Sequence, residues 1–159
     1  MAEMTDARRE QLDSIVEEFL HNSRSGRRLL AVDGSSPELA ARFADDLAAS
    51  LIAHDQLTAR ASAGAADETT LRSGTIEPFR EGRLPGAESP STILVVDGRG
   101  LLDQPIHGMW HFRVWVLVDN AMPHAAADVI VDASDEDSPT RYFYDYCRIP
   151  PSAGDGGRR

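Results

Sequence analysis

Two short apolar runs, each followed by Asp-Gly, constrain the fold of this chain more than any other feature. Residues 29–32 lead into Asp33, and residues 93–96 lead into Asp97. Uninterrupted apolar runs of this length are typical of strands that are covered on both faces, as they are in parallel sheets. Since parallel strands end at a common edge, the pattern predicts that the two runs are adjacent strands and that both aspartates lie at one edge of the sheet.

Helical patterns alternate with the strands. Ser36 can cap a helix that begins at Pro37, because a serine oxygen accepts from a free amide of the first turn and proline suits the first helical position. The predicted elements, in chain order, are a helix at 5–21, a strand at 29–32, a helix at 37–54, strands at 58–62 and 92–98, and strands at 112–118 and 128–132. Residues 63–91 are predicted to hold loops and one short helix. The alternation predicts an α/β fold with a parallel sheet of about five strands and flanking helices.

The composition indicates one compact domain. The chain has 159 residues, of which 42% are hydrophobic, and this is enough to form a single core. We expect one domain over residues 1–150. We expect a disordered tail over residues 151–159, because that segment is rich in glycine and charge.

The net charge and the cysteine content indicate which classes of partner and which cellular compartment to expect. The net charge of −10 argues against nucleic acid and against membrane as partners, because both are recognised through excess positive charge. Cys147 is the only cysteine, which excludes a disulfide within the chain and is typical of a reducing compartment. No apolar run approaches the roughly 20 residues of a membrane span. We therefore expect a cytoplasmic protein.

The order of several motifs resembles the uridine kinase-like branch of the P-loop kinases. In that family a hydrophobic strand ending in Asp-Gly or Glu-Gly precedes a Leu-Leu element, a Gly-x-Trp turn and a further strand. The segments that carry the resemblance are 31–34, 94–98, 101–102, 108–115 and 127–132. The resemblance implies a three-layer P-loop NTPase-like fold, in which the loop after the first strand would hold nucleotide phosphates and Asp97 would be a Walker B-like magnesium ligand.

The phosphate-binding loop of that family needs a lysine, and this chain contains none. All 16 basic residues are arginine, whereas the loop lysine normally reaches the outer phosphates. We align Gly34 with the first glycine of G-x-x-x-x-G-K-[ST]. The second glycine, the lysine and the magnesium-binding hydroxyl then fall on Leu39, Ala40 and Ala41.

What remains is a degenerate phosphate loop. It consists of Asp33, Gly34, Ser35, Ser36 and Glu38. A carboxylate at Glu38 stabilises the positive end of the following helix and therefore competes with phosphate for the same field. The residues that remain predict repulsion of a triphosphate.

The catalytic base and the lid of the family are also missing or displaced. The family's second strand leads into an acidic motif whose aspartate accepts the substrate proton, and here Asp67 is at most a displaced remnant of it. In the family, an arginine-bearing lid between the last two of the predicted strands excludes water and supplies charge to the transferred group. Here only residues 119–127 connect the two strands, so the lid is nearly absent. The combined losses predict a pseudoenzyme.

Three hypotheses follow for the function. The first is a non-catalytic uridine kinase-like protein without a cofactor, which acts as a binding or regulatory module with a protein partner or as a homo-oligomer. The alternative is an active nucleoside or small-molecule kinase that uses ATP and magnesium, with Asp97 on the metal and either Arg42 or Arg99 in the lysine's role. The third is a subunit whose site is completed by another chain.

Other residues with chemical potential have simpler interpretations. Asp97 can cap the turn after its strand rather than hold magnesium. His107 and His111 are four residues apart, but Gly108 between them disfavours a regular helix and no third ligand is evident, so no metal site is predicted. Cys147 lacks a catalytic setting.

The segment 141–147 contains every tyrosine of the chain. If the segment is extended, Tyr142, Tyr144 and Tyr146 share one face, which suits an added edge strand. The simpler interpretation is that these aromatics cover the open end of the core. The sharper one is an interface with a partner or a second copy, because exposed strand edges are seldom left bare and tyrosine is enriched at interfaces.

Overall fold

The computed structural model describes residues 4–65, 67–103 and 106–142, except for the side chain of His107. The elements, in chain order, are α1 (Asp6–Asn22), β1 (Arg28–Gly34), α2 (Pro37–Ala53), β2 (Thr58–Gly64), α3 (Glu68–Leu71), a π-helical turn (Arg72–Ile76), α4 (Glu77–Arg80), β3 (Ile93–Gly98), a 3-10 turn (His107–Met109), β4 (Phe112–Leu117), β5 (Val129–Asp132) and β6 (Thr140–Arg141). Each predicted helix and strand is present within two residues of its predicted ends.

The sheet has six strands in the order β2-β3-β1-β4-β5-β6. The first five are parallel, and β6 pairs antiparallel with β5. The predicted α/β class and the adjacency of β1 and β3 are confirmed. The expected number of about five strands matches the parallel part alone, because β6 pairs through only two residues, too few for a periodic signal.

Each face of the sheet is covered by its own core. One face packs against α1 and α2, and its buried residues include Phe19, Val32, Leu47, Val95 and Val114. The other face packs against the helical segment that runs from α3 to α4 and against the residues after β3, and its buried residues include Ala31, Phe79, Val96, Leu101 and Trp110. Strands covered on both faces explain why β1 and β3 are uninterrupted apolar runs.

Local capping explains where the two long helices begin. The Thr5 hydroxyl accepts a hydrogen bond from the Arg8 amide at 3.2 Å, and the Ser36 hydroxyl accepts one from the Leu39 amide at 3.1 Å. Pro37 occupies the first turn of α2, where its missing amide hydrogen costs nothing. The predicted roles of Ser36 and Pro37 are thus confirmed.

The chain after β6 passes out of the described residues. The Arg141 guanidinium donates to Glu18 of α1 at 2.6 Å, and the Tyr142 amide continues the ladder by donating to the Ile130 carbonyl at 2.7 Å. Tyr144, Tyr146, Cys147 and the tail at 151–159 lie beyond the described part of the chain. Within that part, none of the helices combines the length and the apolar character that crossing a bilayer requires.

Candidate functional site

Asp33 and Asp97 lie at the same edge of the sheet but on opposite faces. In the parallel pairing of β1 with β3, Val32 is the partner of Asp97. Because side chains alternate along a strand, Asp97 shares a face with Val32, and Asp33 points to the other face. The two aspartates that follow the apolar runs therefore do not converge on one point.

The connection between β1 and α2 is very short. Only Ser35 and Ser36 separate the two elements. The Ser35 amide donates to the Val116 carbonyl of β4 at 2.9 Å. A Cβ placed on Gly34 would lie 2.3 Å from that same carbonyl oxygen, so only glycine fits here. The chain thus turns tightly over β4 instead of forming a wide loop.

The residues aligned with the end of the phosphate motif lie inside α2. Leu39 and Ala40 are buried in its first turns, and Glu38 is exposed in the first turn. Ser35 is exposed as well. Of the side chains in the degenerate loop, those of Ser35 and Glu38 are exposed, that of Ser36 is half-buried and that of Asp33 is buried.

Asp33 is a buried carboxylate that joins two turns. It is 5% exposed, and its two oxygens accept from the Gly34 amide at 2.7 Å and from the Leu101 amide at 3.0 Å. Burial raises the pKa of Asp33, and the charge of Asp103 adds to this effect, while the amides of Gly34, Leu101 and Gly100 oppose it. Asp33 therefore ties the turn after β1 to the turn after β3.

The raised pKa of Asp33 predicts a pH effect on stability. A carboxyl group whose pKa is raised in the folded state stabilises the fold most when the pH is below its unfolded-state pKa, which is 3.8 for aspartate. This stabilisation is lost as the pH rises through the folded-state pKa. Between pH 3.8 and the folded-state pKa of Asp33, we expect wild type to lose stability relative to Asp33→Asn, because asparagine does not ionise. The other carboxyl groups are the same in both proteins, so their effects cancel. Urea unfolding of both proteins from acid to neutral pH measures the difference. A difference that stays constant with pH would contradict the prediction.

Asp97 is held by two side chains of the neighbouring strand β2. It is 7% exposed and accepts from the Ser62 hydroxyl at 2.6 Å. The same oxygen lies 2.9 Å from the Arg60 guanidinium, which also pairs with Asp45 of α2 at 2.9 Å. Arg60 thus stands between two carboxylates. Sequence analysis missed Arg60 and Ser62, although their spacing of two places them on one face of β2.

Comparison with solved structures identifies the architecture. A protein from Bacillus stearothermophilus described as a possible uridine kinase is 14% identical and superposes with a TM-score of 0.53, over 68% of this chain and 80% of that one. The fold is that of the P-loop kinases. A candidate fructose transport system kinase from Silicibacter sp. TM1040 is 16% identical, with a TM-score of 0.45 over 72% of this chain and 76% of that one. No protein-family model and no curated protein matches the chain.

Within this P-loop kinase fold, the two arginines considered as substitutes for the lysine differ in their contacts. Arg42 pairs with Glu136 at 2.5 Å. Arg99 is exposed directly after β3, and its amide donates to the Gly64 carbonyl at 2.8 Å. No hydrogen bond or ion pair joins the Arg99 guanidinium to the described part of the chain. Arg99 is therefore the cation at this edge that is available to a ligand.

The segment between β4 and β5 is as short as the sequence indicates and contains no helix; all of its residues are described. The Trp115 indole donates to the Met122 carbonyl at 3.1 Å, and the His124 ring lies 5.2 Å from the Trp115 ring. The Nδ1 atom of His124 accepts a hydrogen bond from the Ala126 amide. The ring proton is therefore on Nε2, which donates to the Asp103 carboxylate at 2.8 Å. These contacts hold the connection against the sheet.

Asp67 and His111 have structural partners. Asp67 caps α3 by accepting from the Thr70 amide at 2.8 Å, and this bond, with one from the Thr70 side chain, lowers the pKa of Asp67. His111 accepts from the Leu29 amide through Nδ1 at 3.0 Å. Among the described residues, no group of three or more His, Cys, Asp or Glu side chains is placed to hold a metal ion.

Proposed function

We propose that this protein is a non-catalytic uridine kinase-like protein that acts as a binding or regulatory module. The observation that carries the proposal is the pairing of Asp97 with Arg60 and Ser62. Asp97 is the residue that would hold magnesium in an active kinase. Here its carboxylate already has a cation of its own.

A magnesium ion at Asp97 would have to displace the Arg60 guanidinium. That displacement would also break the contact of Arg60 with Asp45 and its hydrogen bonds to the carbonyls of Ala61 and Val95. Separating a largely buried charge pair costs several kcal/mol, and magnesium gives up its water reluctantly. The local charge balance therefore disfavours the metal.

The short loop supports the same proposal. Phosphate loops bind with free backbone amides and a lysine. Here the Ser35 amide is already bonded to Val116, the Ser36 side chain caps α2, and Ala40 is buried where the lysine would lie. Glu38 adds negative charge at the helix start.

The direct test is nucleotide binding with and without magnesium. We expect ATP with magnesium at millimolar concentration to leave the melting temperature unchanged, because the site lacks the lysine and Asp97 is already paired with Arg60. A ligand that did bind, at a hundred times its dissociation constant, would raise the free energy of unfolding by about 2.7 kcal/mol. ATP with a chelator is the matched control. A magnesium-dependent rise in melting temperature would contradict the proposal, and turnover of ATP with uridine or cytidine would overturn it.

The active kinase is the second candidate, favoured by the exposed side chain of Arg99, two residues after Asp97 in the chain. This candidate requires ATP, magnesium and a role for Arg99 in place of the lysine. If turnover is found, Arg99→Gln should abolish it, and Arg42→Gln should reduce it less, because Arg42 is paired with Glu136. A site completed by another chain would appear as turnover only in the presence of that chain.

The proposed module acts in the cytoplasm through a protein partner or a second copy, and not through nucleic acid or membrane. The interface we propose lies at Tyr142, Tyr144 and Tyr146. It starts at Tyr142, directly after the edge strand β6, where the Tyr142 amide donates to the Ile130 carbonyl of β5.

A further inference from the structure

The strand β2 forms one edge of the sheet, and its outer side is open to further pairing. Among the described residues, β3 is the one strand beside it. The Ile93 amide of β3 donates to the Leu57 carbonyl at 2.8 Å, and since the backbone groups of a parallel strand point to alternate sides, those of Ala59 also face β3. The residues of β2 whose amides and carbonyls face outward are Thr58, Arg60 and Ser62.

The outer side of β2 lacks the features with which natural sheets prevent pairing. Proteins protect sheet edges with proline, bulges, very short strands or charged side chains. β2 has seven residues and contains no proline, and its register shift comes only at its end, after Ser62. Its one charged residue is Arg60, whose guanidinium is engaged with Asp45 and Asp97. The backbone from Thr58 to Ser62 is therefore a regular, unprotected edge.

Exposed apolar side chains flank this edge. Because Asp45 of α2 pairs with Arg60 of β2 at 2.9 Å, the side of α2 that carries Asp45 faces the edge. Ala49 and Ile52 follow four and seven residues later, on the same side of the helix, and both are exposed. Ile52 is 59% exposed, and Leu57, directly before β2, is 56% exposed. We call the outer side of β2, together with Ala49, Ile52 and Leu57, the β2 face.

The end of the same chain is poorly placed to cover the β2 face. Outside the described part of the chain, the segment long enough to add a strand is the one after Tyr142. The Tyr142 amide bonds to β5, next to β6 at the opposite edge of the sheet. That edge is five strand spacings, about 24 Å, from β2. The β2 face is therefore more accessible to another molecule.

The β2 face is complementary to a second copy of itself. Antiparallel strands exchange two hydrogen bonds at every second residue pair. If two copies meet about a two-fold axis at Arg60, Thr58 of each copy lies opposite Ser62 of the other, and all the outward groups are satisfied at once. Each copy also brings one guanidinium and two carboxylates, those of Arg60, Asp45 and Asp97, to the axis. The two cations therefore meet with their charges already compensated.

We propose that two copies of this chain associate through the β2 face, with their β2 strands antiparallel and one sheet continuing through both copies. β2 is about 23 Å long, and the sheet with a helical layer on each face is about 30 Å deep. Each copy thus contributes on the order of 700 Å², close to the roughly 800 Å² per partner of a stable interface. The β2 face is separate from the tyrosine segment, and the proposal does not depend on whether the protein is catalytic.

Sedimentation and hydrogen exchange of the full chain test the association and its location. We expect a dimer with a Kd of about 1 μM or tighter, the weak end for interfaces of this size. The amides of Thr58, Arg60 and Ser62 should become protected from exchange as the protein concentration rises, whereas the Ala59 amide, which faces β3, is protected throughout. A monomer at about 100 μM would overturn the proposal. Protection of the outward amides at every concentration would show that one copy covers its own edge, and would overturn it too.

Substitutions that add a lysine to the β2 face test which surface is used. Ile52→Lys and Leu57→Lys should each weaken the dimer at least about tenfold, because an apolar side chain leaves the interface and a charge enters it. Met122→Lys is the matched control, since Met122 is 48% exposed and lies after β4, three strands away from β2. All three variants change the net charge equally, and circular dichroism checks that each is folded. Dimerisation that resists both β2-face variants, or that Met122→Lys weakens equally, would refute the proposed surface.

Discussion

Replacing Gly34 with alanine is expected to lower the free energy of unfolding by about 3 kcal/mol, at the upper end of the cost of overpacking. The added Cβ would lie 2.3 Å from the Val116 carbonyl oxygen. That oxygen belongs to the backbone of β4 and cannot rotate away. The variant must therefore separate β1 from β4 at the point where Ser35 also bonds to Val116.

Gly74→Ala is the matched control for this substitution. A Cβ at Gly74 would meet no atom within 4 Å, and the residue lies in the π-helical turn, where alanine is favoured over glycine by up to about 1 kcal/mol. Urea unfolding followed by circular dichroism compares the two variants with wild type. A Gly34→Ala protein as stable as wild type would show that the two strands can separate at no cost.

Arg60→Met is the second substitution with a large expected effect, a loss of about 3 kcal/mol at neutral pH. The methionine keeps most of the apolar stem but removes the charge. Within the described part of the chain, Asp97, at 7% exposure, is then left with the Ser62 hydroxyl as its one side-chain partner. Breaking a buried pair on one side is costly because the other charge remains without compensation. Chemical denaturation measures the loss.

Two further variants separate the charge effect from packing. Adding Asp97→Asn to Arg60→Met should restore more than half of the lost stability, because no buried charge then remains unpaired. Arg83→Met, which breaks the exposed pair with Glu81, should change stability by less than about 0.5 kcal/mol. If Arg60→Met behaves like Arg83→Met, then Arg60 does not balance Asp97.

The elements that sequence analysis predicted are those set by local signals. The cap at Ser36 and the proline after it act within one turn, and the apolar runs before Asp33 and Asp97 report burial on both faces. The helical segment from α3 to α4 was only partly foreseen. Gly74 and Pro78 interrupt its pattern, and tertiary packing of Leu71, Ile76 and Phe79 outweighs the weak local propensity.

The contacts of the candidate site depend on register, which no local pattern encodes. Sequence alone places Asp33 and Asp97 at one edge. The pairing of Val32 with Asp97 sends them to opposite faces, and the pairing of Ser62 with Asp97 brings Ser62 and its same-face neighbour Arg60 to that carboxylate. A shift of one residue would reverse either result. The role of Arg60 could be read only after the strand order was known.

The strand order has a consequence for how the chain acquires its structure during synthesis. The first 64 residues contain β1 and β2, yet these two strands never touch, since β3 lies between them. A nascent chain that ends before Ile93 therefore has two strands and no sheet. Long-range pairing of this kind slows folding and leaves apolar strands exposed while it is incomplete. We therefore expect the sheet of the amino-terminal half to form only after β3 has left the ribosome.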